Sequence, residues 1–100
     1  MDLIQRVVRT SKNVGSDNRM NTFGSLVEEV GELSTELAIS NGTKQREPSP
    51  DGVVGEAIDV LVCIIDLLYQ ELGDKITEQA FLERVQTKLD KWENKNVLRI

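Results

Sequence analysis

The sequence of 100 residues contains no histidine, a single cysteine, two prolines and few aromatic side chains. Without histidine, the chain cannot form a Ser-His-Asp triad, a Cys-His pair, an HExxH zinc site or the Glu-x-x-His motif of di-iron bundles. The lone Cys63 allows no disulfide within the chain, which favours a reducing, cytoplasmic location. Because aromatic residues are scarce, we expect a core formed mainly by Leu, Ile and Val.

Features typical of membrane proteins and nucleic-acid-binding proteins are also lacking. The first residues show no hydrophobic region of the kind that signal peptides carry. The longest apolar run, residues 60–65, is too short to span a bilayer. A formal net charge of -5 argues against a nucleic-acid polymer or an anionic membrane as the main partner. We therefore expect residues 1–100 to form one cytoplasmic domain that binds neither membrane nor nucleic acid.

Four segments carry apolar residues at helical spacing, and no segment alternates as a strand does. This pattern predicts an all-α fold, a four-helix chain with helices over about residues 2–13, 22–41, 50–72 and 78–93. We expect Asn21 or Thr22 to cap the second helix, and Thr77 to cap the fourth. Ser49 before a proline predicts the start of the third helix. Gly42 is expected to end the second.

The third and fourth predicted helices differ in how much of their surface is apolar. Apolar residues cover more than half of the circumference of the third, which predicts burial on most sides. In the fourth, the residues expected to point inward are Phe81, Leu82, Val85, Leu89 and Trp92. Three neighbours in a thin bundle cannot cover the third helix, so we predict a bundle completed by oligomerisation, as a homodimer or homotetramer.

Basic residues are missing from two long stretches of the chain. Between Arg19 and Lys44 there are four acidic residues and no basic one. Between Arg46 and Lys75 there are seven acidic residues, again without a basic one. Solvated helix faces normally mix charges, because ion pairs four positions apart support the helix. This segregation indicates a function for the acidic residues.

Two pairs of carboxylates stand three positions apart within these stretches, namely Glu29 with Glu32 and Glu56 with Asp59. Residues at that spacing share one face of a helix. If the two helices pack together, the four carboxylates meet and repel, and a hard cation such as Mg²⁺, or alternatively Mn²⁺, would neutralise them. The alternative is a solvated acidic face, which is costly on a mostly buried helix.

Basic residues follow one side of the fourth predicted helix at spacings of three and four, among them Lys88, Lys91 and Lys95. One interpretation is a solvated helix rim. The other is attraction of a polyphosphate toward an acidic metal site that would otherwise repel it. No glycine-rich phosphate-binding loop is present in the sequence, so a metal and basic side chains would have to bind phosphate.

The sequence LVEEVGEL at positions 26–33, followed by GEAIDVL at positions 55–61, resembles the ExxE…ExxD signature of MazG-like nucleotide pyrophosphohydrolases. These are all-α enzymes related to dimeric dUTPases. The resemblance covers about residues 20–96. It implies that the metal ligands are Glu29, Glu32, Glu56 and Asp59. It also implies that nucleotide binding involves Lys88, Lys91, Asn94 and Lys95.

The implied reaction is the Mg²⁺-dependent hydrolysis of a ribo- or deoxyribonucleoside triphosphate to the monophosphate and pyrophosphate. Glu28 and Glu29 are the candidates for accepting or steering the proton of the attacking water. The alternative is a non-catalytic helical oligomer that binds metal or nucleotide as a regulator, or an interaction module with an acidic docking face. Turnover distinguishes the enzyme from both, and metal-dependent stabilisation distinguishes the regulator from the interaction module.

Overall fold

The computed structural model describes residues 2–15 and 18–97, with only the backbone of residues 96 and 97. Four α-helices follow one another in this part of the chain: α1 (Leu3–Val14), α2 (Arg19–Ser40), α3 (Gly52–Leu72) and α4 (Glu78–Val97). A short 3₁₀ helix, Gly73–Lys75, joins α3 to α4. The described residues include no strand, so the predicted all-α fold with four helices is confirmed. Residues 1, 16, 17 and 98–100 of the predicted domain lie outside this description.

Local side-chain caps decide where α1 and α2 begin. The Asp2 carboxylate accepts a hydrogen bond from the Gln5 amide at 2.7 Å, and the Gln5 side chain accepts one from the Asp2 amide. For α2, Asn18 Oδ1 accepts hydrogen bonds from the backbone N–H groups of Met20 and Asn21, at 3.0 and 3.2 Å. Because Asn18 satisfies these free amides, α2 begins three residues before the predicted start, and the predicted cap at Asn21 or Thr22 is wrong.

The start of α3 also differs from the prediction. Ser49 Oγ accepts a hydrogen bond from the Gly52 amide at 3.1 Å, but the helix begins at Gly52, so Pro50 is not its first residue. One turn into the helix, a Cβ at Gly55 would lie 2.2 Å from the Asp51 Cβ, which leaves no room for a side chain at position 55. Gly42 adopts a left-handed φ of 77° just after α2, so the predicted end of that helix is confirmed.

The α2–α3 pair and the buried apolar core occupy different parts of the structure. Contacts between Thr22 and Gln70 at one end, and between Glu36 and Ser49 at the other, show that α2 and α3 form an antiparallel hairpin. The buried apolar core lies elsewhere, where α1, the C-terminal half of α3 and the start of α4 meet. It consists of Ile4, Val7, Ile65 and Ile76. The carboxylate-bearing half of the hairpin therefore lies outside this core.

The single chain is more open than a closed four-helix bundle. Its radius of gyration is 16.3 Å, whereas a compact domain of this length has about 13 Å.

Thr77 Oγ1 accepts a hydrogen bond from the Ala80 amide, so the predicted cap of α4 is confirmed. The predicted inward orientation is wrong for Leu82, Leu89 and Trp92, because Leu82 is 53% exposed and Trp92 66%. Much of the surface of these three side chains is therefore exposed in the single chain.

The hairpin exposes apolar side chains and buries a charged one. On α3, Val54 is 71% exposed and Ile58 is 53% exposed, whereas Glu56 between them is only 8% exposed. On α2, apolar residues with half or nearly half of their surface exposed are Phe23, Val27, Val30 and Leu37. The predicted burial of α3 on most sides is therefore wrong for the single chain. Glu56 is buried, whereas much of the apolar surface of α3 is exposed.

Candidate metal centre

Three glutamates from two helices converge in the middle of the hairpin. Glu29 and Glu32 share a face of α2, and Glu56 lies opposite them on α3. One carboxylate oxygen of each lies within 4.8 Å of the others. The antiparallel pairing produces this convergence, because it brings the middle of α2 to the first half of α3. Three of the four predicted metal ligands thus lie together in the structure.

The fourth predicted ligand, Asp59, lies beside this group rather than in it. Its side chain is exposed, and the set of three mutually close carboxylates does not include it. Its charge is nevertheless close enough to raise the pKa of both Glu29 and Glu56. Asp59 therefore contributes to the electrostatics of the cluster, and its role as a ligand stays a prediction.

Two carboxylate oxygens of the cluster lack a hydrogen-bond donor. Glu29 Oε2 and Glu56 Oε2 are buried, and neither has a partner among the described residues. A buried anionic oxygen without a donor or cation is destabilising, because it has lost its hydration. A hard divalent cation would satisfy both oxygens, and carboxylate oxygens are the ligands that Mg²⁺ and Mn²⁺ prefer. The residues present therefore fit such an ion.

The protonation equilibria of the cluster point in the same direction. Burial raises the pKa of the Glu29 carboxyl, and the charges of Glu32 and Asp59 raise it further. Burial is also the main cause that raises the pKa of Glu56, followed by its interaction with Glu32. Both groups therefore hold a proton more tightly than an exposed glutamate does, so protons compete with a cation for these carboxylates.

A cavity of about 640 Å³ lies next to the cluster, between α2 and the loop that joins α2 to α3. Four carboxylates line this cavity, namely those of Glu28, Glu32, Glu36 and Glu56. Its volume is in the range of small-molecule sites. Glu28 and Glu29, the two predicted catalytic residues, thus have different surroundings. Glu28 is exposed and lines the cavity, whereas Glu29 is partly buried and belongs to the cluster of three glutamates.

Glu36 anchors the loop that lines one side of this cavity. Its side chain is buried, and its Oε1 accepts a hydrogen bond of 2.9 Å from the backbone N–H of Ser49. From the sequence, Glu36 is expected at the border of the apolar stripe of α2 and near the carboxylate face, either supporting the metal ligands or as a plain surface residue. Its spacing of four from Glu32, and of eight from Glu28, was a signal that the three share a face.

The predicted substrate-binding residues of α4 lie in a different region. Lys88, Lys91, Asn94 and Lys95 are exposed. Lys88 lines an apolar groove of about 400 Å³ together with Leu68 at the far end of α3. Leu68 follows Glu56 by twelve positions, which is about 18 Å along a helix. The described structure therefore does not bring this basic stripe to the cluster within one chain.

A second set of polar contacts, not predicted from the sequence, joins α1 and α2 to the C-terminal half of α3. Ser11 Oγ donates a hydrogen bond of 2.6 Å to Asp66 Oδ1, and Gln70 Nε2 donates to Thr22 Oγ1. The two residues of each contact are 55 and 48 positions apart in the sequence, respectively, so no local pattern indicates these contacts. Cys63 lies nearby, and burial, with the Glu29 and Asp66 charges, raises the pKa of its thiol. The raised pKa keeps the thiol protonated at neutral pH, which argues against a nucleophilic role for Cys63.

The chain matches no protein-family model, no curated protein and no solved structure. Among the described helices, none has both the length and the apolar content needed to cross a membrane. Fold and site together define an all-α protein with a three-glutamate candidate metal centre.

Proposed function

We propose that this protein is a Mg²⁺-dependent, MazG-like nucleotide pyrophosphohydrolase that converts a nucleoside triphosphate to its monophosphate and pyrophosphate. The observation that carries the proposal is the convergence of Glu29, Glu32 and Glu56, with buried oxygens that lack partners, beside a cavity of about 640 Å³. The motif resemblance selects a phosphoanhydride as the substrate among the ligands that a carboxylate-held Mg²⁺ can recruit.

The three glutamates would hold Mg²⁺, with Asp59 beside them. When bound, the ion supplies positive charge that stabilises the developing negative charge on the phosphate and lowers the pKa of water. Without an ion, the four carboxylates that line the cavity would repel a polyphosphate. Substrate binding is therefore expected to require the metal.

Glu28 is the residue best placed to act as the general base. It is exposed and lines the cavity, and it is not one of the three clustered glutamates. In the reaction, the water oxygen forms a bond to the α-phosphorus while the bond between that phosphorus and the α–β bridging oxygen breaks. The electron pair of that bond leaves with the bridging oxygen on pyrophosphate, and the Glu28 carboxylate accepts the proton of the water.

The same proposal includes a homo-oligomer, supported by the exposed apolar surface of α2 and α3. Val54 and Ile58 are more than half exposed, next to the buried Glu56. Apolar surface of this extent usually marks an interface between proteins. The predicted role of Lys88, Lys91, Asn94 and Lys95 also requires assembly, because one chain leaves them away from the cluster.

We expect the purified protein to be a dimer or tetramer at micromolar concentration, as measured by light scattering after size exclusion. Ile58→Asp should shift the population toward the monomer, because it places a charge on the apolar face. Asn13→Asp introduces the same side chain at an exposed position of α1 and should leave the mass unchanged. An active wild-type monomer would contradict the proposed assembly.

Hydrolysis is tested with a panel of ribo- and deoxyribonucleoside triphosphates in the presence of Mg²⁺, with pyrophosphate and orthophosphate measured separately. We expect pyrophosphate and nucleoside monophosphate in equal amounts, and no release when Mg²⁺ is chelated. Orthophosphate as the main product would mean cleavage at a terminal phosphate and would contradict the proposed reaction. Metal-dependent stabilisation without turnover would favour the regulator instead.

A further inference from the structure

Arg46 is the one basic residue among the described residues that line the acidic cavity. It belongs to the loop between α2 and α3, opposite the α2 face that carries Glu28, Glu32 and Glu36. Despite these neighbours, Arg46 forms no hydrogen bond or ion pair with the described part of the chain. Arg46 thus lines the cavity without an ion pair to the carboxylates there.

The loop is anchored on both sides of Arg46. Before it, the Lys44 amide donates a hydrogen bond of 3.2 Å to the Ala38 carbonyl at the end of α2. After it, the Ser49 amide donates its hydrogen bond of 2.9 Å to the buried Glu36 carboxylate. Arg46 therefore lies on a short loop segment whose backbone is held on both sides, and this segment lies beside the cavity.

We propose that Arg46 binds the β- and γ-phosphates of the substrate and the pyrophosphate that they become. This inference rests on the proposed function, since it assigns one part of that substrate to one side chain. A guanidinium forms paired hydrogen bonds with phosphate oxygens. A cavity otherwise lined by carboxylates can accept a diphosphate only if cations offset the repulsion. The glutamate cluster recruits one such cation, and Arg46 provides a second from the opposite wall.

Inhibition by the two products separates this role from a structural one. In Arg46→Ala, the inhibition constant of pyrophosphate should rise at least tenfold, as expected for losing a charge-assisted hydrogen-bonded pair. The inhibition constant of the nucleoside monophosphate should change less than twofold, because that product lacks the two phosphates. Arg46→Lys should fall between the wild type and Arg46→Ala, since an ammonium cannot form the paired contact.

Lys44→Ala is the matched control, because it removes a cation from the same loop at a position outside the described cavity lining. It should leave both inhibition constants unchanged. Equal changes for both products in Arg46→Ala, or no change in either, would overturn the assignment. If the wild type hydrolyses no nucleotide, the proposed function fails, and calorimetric titration with magnesium pyrophosphate decides the inference. A dissociation constant that is at least tenfold higher for Arg46→Ala than for the wild type, with Lys44→Ala unchanged, supports the inference. Equal constants for the wild type and Arg46→Ala, or no binding to the wild type, overturn it.

Discussion

Glu32→Gln and Glu56→Gln are expected to lower the rate of pyrophosphate release by a factor on the order of 100 or more. Each amide keeps the size of the side chain but loses the negative charge that attracts Mg²⁺. The effect should be large because Glu29, Glu32 and Glu56 each offer one oxygen to the same small volume. The measurement is the initial rate of pyrophosphate release at saturating Mg²⁺ and substrate.

Glu47→Gln is the control for these substitutions. It makes the same chemical change at an exposed position in the α2–α3 loop, outside the described cavity lining, and should leave the rate unchanged. Circular dichroism of every variant should show unchanged helix content, so that loss of activity is not loss of fold. Full Mg²⁺-dependent activity in both cluster variants would contradict the assignment. Asp59→Asn, tested alongside, decides whether the fourth predicted ligand also holds the metal.

Stability is expected to depend on pH and Mg²⁺ together. In the metal-free protein, burial and neighbouring charges raise the folded-state pKa of Glu29 and Glu56, above the unfolded value of about 4.3. A raised folded pKa means that the native state binds more protons than the unfolded state. The resulting stabilisation is fully present below the unfolded pKa and is lost as pH rises through the folded pKa. Metal-free protein should therefore melt at a lower temperature at pH 7 than at pH 5.

Mg²⁺ and protons compete for these carboxylates. The stabilising effect of Mg²⁺ should therefore be largest near neutral pH, where the protons are lost, and should fade toward pH 5. At a metal concentration of about 100 times the dissociation constant, one site adds about 2.7 kcal/mol to the free energy of unfolding. For a domain of this size, that raises the melting temperature by roughly 10–20 °C.

The measurement is a melting series at pH 5, 6, 7 and 8, with Mg²⁺ or with chelator. Glu56→Gln serves as the variant in which the response to Mg²⁺ should shrink, whereas Glu47→Gln should respond as the wild type does. Identical melting temperatures with Mg²⁺ and with chelator at pH 8 would show that the clustered carboxylates bind no metal.

Local patterns were sufficient to predict the existence of the four helices, because the spacing of apolar residues reflects the helical period directly. Boundaries were less predictable, since several residues near each end are able to cap. Asn18 rather than Asn21 caps α2, and α4 continues to Val97, four residues beyond its predicted end. Such choices depend on the rest of the fold as much as on the residues themselves.

The candidate site was predictable to the extent that it depends on helix faces. Spacing placed Glu29 and Glu32 together, but their approach to Glu56 required α2 and α3 to pair in the observed register. The Glu36 contact with Ser49 arises only in the folded loop, so the sequence did not indicate it. An apolar stripe also does not specify which surface covers it, which is why the predicted inward orientation of Trp92 was wrong.

The close approach of Asp51 to Gly55 constrains how this sequence is able to evolve. Any residue other than glycine at position 55 would place its Cβ 2.2 Å from the Asp51 Cβ and displace the first turn of α3, which directly precedes Glu56. A change at position 55 is therefore tolerated only after the Cβ at position 51 has been removed, as by Asp51→Gly. The order of the two substitutions thus matters, and one route between the same two sequences is open while the reverse route is closed.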